Sequence, residues 1–157
     1  MALSAPKETG CTRALSGLTL GKAVTGASFT GYYGGLVMIN SSGNIVTAAD
    51  TSGARTLGIL TKSTESSPGV LGAVASGTTI EFEYGHEVWF KINSASAAAF
   101  DGACIGKNCT LVDSEEIGAA SVTTNDVLVG PVKELETRNG VAGAWVFLSP
   151  ATATATF

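Results

Sequence analysis

The feature that most restricts this chain is the brevity of its apolar runs. Each is closed by glycine, proline, asparagine or serine before a helix of useful length could form. LVMI (36–39) and IVTA (45–48) flank the turn-rich NSSGN (40–44), LGILT follows at 57–61, and SSPG (66–69) marks a turn. VLGAVA (70–75), TTIEFEY (78–84), EVWFKI (87–92), VLVGPV (127–132) and AWVFL (144–148) continue the series. Runs of this length between turn residues are strand signals. Within 78–84, Ile80, Phe82 and Tyr84 alternate with Glu81 and Glu83, the period-two pattern of a strand with one wet face. Gly85-His86 reads as a turn with a solvated imidazole. Arg138-Asn139-Gly140 supplies an Asn-Gly hairpin turn. SASAAAF (94–100) is the one helical piece, with Ser94 as its N-cap and Asp101-Gly102 as its stop. About eight or nine short strands with one short helix make the fold class all-β, a small barrel- or sandwich-like domain.

The beginning of the chain is different. Residues 1–34 are rich in Gly, Ser, Thr and Ala without a sustained period, and read as an extended N-terminal arm with lead-in loops. Residues 35–149 form the β-rich domain. Residues 150–157, in SPATATATF, read as a C-terminal tail or an edge strand. Charged residues are only 14% of the chain, against about 25% in a typical soluble domain, a composition that suits a protein covering part of its surface with a partner. The net charge of −4 argues against a nucleic-acid partner. Lys7, Arg13 and Lys22 against Glu8 give residues 1–22 a charge of +2, so the remainder carries −6: a mildly basic arm on an acidic body. No apolar stretch is long enough for a membrane helix. The N-terminus lacks the basic-then-apolar pattern of a signal peptide, so synthesis and retention in a cytoplasm are expected.

Catalytic signals are sparse. His86 is the only histidine, and Gly26-Ala27-Ser28-Phe29-Thr30 lacks the last glycine of a nucleophile elbow. GLTLGK (17–22) and GACIGK (102–107) have one residue too few for a phosphate loop. Asp113, Glu115 and Glu116 read as a solvated acidic loop, and Glu81 with Glu83 as the wet side of a strand. Cys11, Cys104 and Cys109 lack the paired spacing of zinc ligands. A disulfide between Cys104 and Cys109 across Ile-Gly-Lys-Asn is one reading, and buried thiols are the favoured one. The expectation is a protein that is not an enzyme, with no catalytic residue, cofactor or metal.

GLVMINSSGNIVTAAD (35–50) followed by TLGILT (56–61), and then GTTIEFE (77–83) into GHEVW (85–89), resembles the head-decoration, or capsid cement, proteins of tailed bacteriophages. The similarity spans residues 35–92 and consists of glycine-led strands around a glycine-containing hairpin. The resemblance implies a compact, usually trimeric β-fold on the outer capsid surface of a virion. Its N-terminal arm would pair with strands of the major capsid protein and help the shell resist internal pressure. The matching arm runs from Ala2 to about Leu20, with Ala2, Leu3, Lys7, Arg13, Leu15, Leu18 and Leu20 as partner-binding candidates. The implied partners are the major capsid protein and further copies of the chain, with neither nucleic acid nor membrane. Ile80, Phe82, Val88, Trp89 and Phe90 are candidates for core or subunit contact. Another virion part, such as a tail-tube or fibre-base module, and a carbohydrate-binding β-module share this texture. A sugar-binding module would expose aromatics, whereas Trp89 and Trp145 lie in apolar strands and are expected to be buried.

Overall fold

The computed structural model describes residues 12–148, with side chains described from residue 24 onward. The chain is all-β, as its pattern of short apolar runs requires. Nine strands form one sheet: β1 (Thr12–Val24), β2 (Leu36–Ile39), β3 (Ile45–Thr47), β4 (Arg55–Leu60), β7 (Thr79–Ile92), β8 (Asn108–Leu111), β9 (Glu116–Gly118), β10 (Leu128–Arg138) and β11 (Val141–Phe147). β5 (Glu65–Ser67) and β6 (Val70–Leu71) make a separate two-stranded hairpin. The expected strand over 70–75 is therefore only two residues long, where Gly72 and Ala73 supply too little side chain to pack a longer one.

Local chemistry sets the tight turns. In the β2–β3 hairpin, Asn40 Oδ1 accepts from the amides of Ser42 and Asn44, both at 3.0 Å. Gly43 adopts φ +80° there, a conformation open to glycine at little cost. Asn139 (φ 49°) and Gly140 (φ 78°) turn β10 into β11 as the Asn-Gly signal predicts. The expected helix is a short 3-10 turn, Ser94–Ala99. Its cap is Asn93 rather than Ser94: Asn93 Oδ1 accepts from Ala95 N at 3.0 Å.

β7 organises the sheet. Sequence reading divides residues 78–92 into two strands around a turn at Gly85-His86, but the structure has one 14-residue strand with an irregularity there. Gly85 sits at φ 91°. Before it, Ile59 and Glu83 form a cross-strand pair on the face of the main core, and Leu60 with Phe82 faces a second cluster. After it, Val88 and Phe90 face the main core while Trp89 faces away. The inward phase thus shifts by one residue across Gly85, the effect of a bulge on a period-two strand. That shift lets one strand serve two cores.

The second half of β7 pairs antiparallel with β11 (Trp89 opposite Trp145) and parallel with β9 (Ile92 opposite Ile117). β9 pairs with β8, β8 with β10 and β10 with β11, so the pairings close into a circuit. Inside lie Val88, Phe90, Leu111, Ile117, Val129, Val132 and Val146, all essentially without solvent contact. Fully burying such side chains contributes roughly 1.5–3 kcal/mol each. The β2–β4 meander separates this core from the second cluster of Phe29, Val37, Ile45, Leu60, Ile80 and Phe82.

Candidate docking surface

Of the arm candidates, Ala2, Leu3 and Lys7 lie outside the described residues. Arg13, Leu15, Leu18 and Leu20 fall in β1. Where the sequence suggests an unpatterned arm as far as residue 34, residues 12–24 form a 13-residue strand antiparallel to β7. Arg13 stands opposite Glu87 and Leu20 opposite Glu83. The register breaks between Ala14 and Thr19, so residues 15–18, with Leu15 and Leu18, fall between the pairs at His86 and Tyr84. Among the described residues β1 pairs with β7 alone, which makes it a margin of the sheet. No local period reveals this strand; its backbone is ordered by the length of β7 beside it.

At the same break, His86 is buried, at 6% exposure, and not a solvated turn residue. Its Nε2 lies 2.7 Å from Glu83 Oε2, and among the described residues its Nδ1 has no hydrogen-bond partner. The imidazole is carried inward by the phase shift at Gly85. Glu83, expected on the wet face, is turned by the same shift toward His86 and is only partly exposed.

Trp89 and Trp145 face each other across β7 and β11 on the side away from the main core, and both are buried. Trp145 Nε1 donates to Glu136 Oε2 at 2.6 Å, and Trp89 Nε1 to the Glu136 carbonyl at 3.1 Å. The Arg138 guanidinium lies 5.9 Å from one ring centroid and 5.7 Å from the other, within cation–π range. The pair is a packed structural cluster, as its apolar strand context predicts.

The acidic cluster at 113–116 is a structural site, not a solvated loop. Asp113 Oδ1 accepts from the amides of Glu115 (2.8 Å) and Glu116 (2.9 Å), closing a tight turn. Glu116 is buried, ion-paired to Lys91 and accepting from Asn93 Nδ2 at 3.1 Å. Burial pushes its carboxyl up, but the bonds from Lys91 and Asn93 outweigh that and hold it below the ordinary carboxylate range. The bond to Glu116 raises Lys91 above its usual value. This pair clamps β9 onto the end of β7. Among the described residues no three of His, Cys, Asp and Glu gather as a metal site requires.

The open surface lies beside the first half of β7. β4 pairs with β7 only at Ile59–Glu83 and Leu60–Phe82, and then peels away. The split leaves a groove of about 410 Å³ lined by Lys62, Ser63, Thr64, Val74, Thr78, Thr79, Ile80 and Glu81. Thr64 holds its outer wall: its Oγ1 accepts from Gly31 N at 3.0 Å and donates to Gly72 O at 2.7 Å. Next to it the β5–β6 hairpin exposes Val70 and Leu71, at 54% and 49%. Nothing in the local pattern of 61–64 signals the split.

Comparison of the chain with protein-family models, with curated proteins and with solved structures finds no match in any of the three.

Proposed function

We propose that this chain is a virion structural protein that binds the outer surface of a phage capsid and stabilises it, contacting the major capsid protein and further copies of itself, three to an assembly. The observation that carries the reading is the sheet margin. β1 is a 13-residue strand with a single neighbour among the described residues, and it directly follows residues 1–11. Long edge strands are templates for pairing with another chain and are normally shortened, charged or covered. In a capsid-bound protein the cover is the neighbouring shell, through main-chain ladder bonds that need no large side chains. The proposal assigns the contact to residues 1–11 and the outer edge of β1. Residues 35–61 and 77–92, which carry the resemblance, fold as the β2–β3–β4 meander and β7 beside that margin.

The test is binding of the purified chain to expanded and unexpanded phage shells, measured by co-sedimentation and light scattering. Saturation at a fixed copy number per shell is the expected result. A chain lacking residues 1–11 should keep its far-UV circular dichroism and lose at least tenfold in shell affinity. Full coating by the shortened chain would remove the arm from the mechanism, and binding to tails alone would overturn the capsid reading.

A further inference from the structure

We infer that the groove between β4 and β7 is an acceptor site for an extended strand, and that its occupant is the segment 151–157, Ala-Thr-Ala-Thr-Ala-Thr-Phe, of a second copy of this chain. Two observations support the acceptor. The amide of Thr25 donates to the Thr78 carbonyl at 3.0 Å and the Thr78 amide to Thr25 Oγ1 at 3.2 Å, so the main chain of Thr78 points toward β1. By strand alternation the N–H and C=O of Thr79 point the other way, into the groove, on the side that β4 has left. The walls beside it are mostly small hydroxyl residues, Ser63, Thr64, Thr78 and Thr79, with Val74 and Ile80 as the apolar part and Lys62 and Glu81 as the charged part. This is half of a ladder with a slot next to it.

The occupant follows from pattern and reach. Residues 151–156 alternate Ala and Thr with period two, so over that run one face is small enough for a narrow slot and the other carries hydroxyls and β-branched carbons, with Phe157 ending the alanine face. β11 runs along β7 toward Thr79: Gly143 stands opposite Lys91, and Phe147 opposite Glu87. Leu148 is held at Gly85 and His86, with Gly85 N donating to its carbonyl at 2.7 Å and its own N–H to His86 O at 2.8 Å. From Gly85 to Thr79 is six residues of strand, roughly 20 Å. A chain spans at most about 3.3–3.6 Å per residue, so residues 149–154 of the same molecule would be spent on the approach alone. Ile59 and Leu60 already fill that side of β7 at Glu83 and Phe82, which lengthens the path. The alternating run enters whole only from a neighbour. Such a head-to-tail contact closes a ring if the rotation permits. The inference is independent of what the assembled protein docks onto.

The experiment uses size-exclusion chromatography with light scattering on three forms: the full chain, a chain ending at Pro150, and Thr79→Pro. The proline removes the amide proposed to bond the incoming strand, at the first residue of β7, where proline is tolerated. The full chain should be oligomeric, and each altered form monomeric with unchanged circular dichroism. Mixing the two altered forms, one with tail but no acceptor and the other the reverse, should give a one-to-one complex. A monomeric full chain, an oligomer that survives loss of residues 151–157, or two folded monomers that do not combine would each overturn the inference. If Thr79→Pro fails to fold, a synthetic peptide of residues 149–157 titrated into the shortened chain decides it: saturable binding supports the site, and none overturns it.

Discussion

The two halves of β7 show how one strand can be used in opposite ways. From His86 to Ile92 it is enclosed: β11 and β9 flank it, the circuit through β8 and β10 returns to it, and the ion pair of Lys91 with the buried Glu116 pins its end. From Thr79 to Tyr84 it meets β4 at only two residue pairs, then borders an open groove and an exposed hairpin. The lesson is a division of labour. The closed half borders the main core, and the open half buries Ile80 and Phe82 in the smaller cluster while leaving a groove along its edge. Gly85, where the inward phase shifts, is the boundary.

Phe90→Ala should break this comparison most severely. It removes a fully buried ring from the closed half and is expected to cost about 3–5 kcal/mol, read as a lower urea midpoint at constant slope. Gly58→Ala probes the seam between β4 and the open half, whose other side is paired with β1. A Cβ there would overlap the Glu83 carbonyl oxygen, so β4 must move off β7. The expected loss is about 1–3 kcal/mol, and a change within 0.5 kcal/mol would show that the seam is slack. Glu116→Gln should flatten the acid limb of stability. Because the folded carboxyl titrates below the unfolded one, its contribution is present above the unfolded value near pH 4.3 and is lost as pH falls through the folded value. Urea midpoints between pH 7 and 3 should therefore drop less in the variant than in the parent. Leu71→Ser should be the mildest, within about 0.5 kcal/mol, since the side chain is half exposed on the outlying hairpin. A larger loss would mean the hairpin is part of the core.

Much of the fold was legible because it is written in local chemistry. Asn40 and Gly43 dictate the β2–β3 hairpin, Asn139-Gly140 the β10–β11 turn, and the alternation of Ile80 and Phe82 with Glu81 the first half of β7. The burial of Trp89 and Trp145 followed from their apolar neighbours. What local pattern could not carry were features decided by distant partners. β8 and β9 are four and three residues long and exist because β7 and β10 stand beside them. His86 looked like a turn residue because Gly85 marks turns and bulges alike. Glu116 looked solvated because its partner, Lys91, is 25 residues away. β1 has no apolar period to announce it, so its pairing was invisible, and of the seven arm candidates only Arg13, Leu15, Leu18 and Leu20 can be placed at all. The groove was illegible for the same reason: it is the space left where two strands stop matching.

Cys109 offers a practical return on the closed circuit. Its thiol is buried, donates to the Gly130 carbonyl at 3.4 Å, and is pushed up to about 12 by burial. Cys104, also a thiol and also buried, is raised by the same cause. Since thiolate is the reactive species, alkylating reagents at neutral pH should ignore Cys109 while the strands stay paired. Its rate of modification then becomes a clock on opening of the sheet, built into the molecule without any added label.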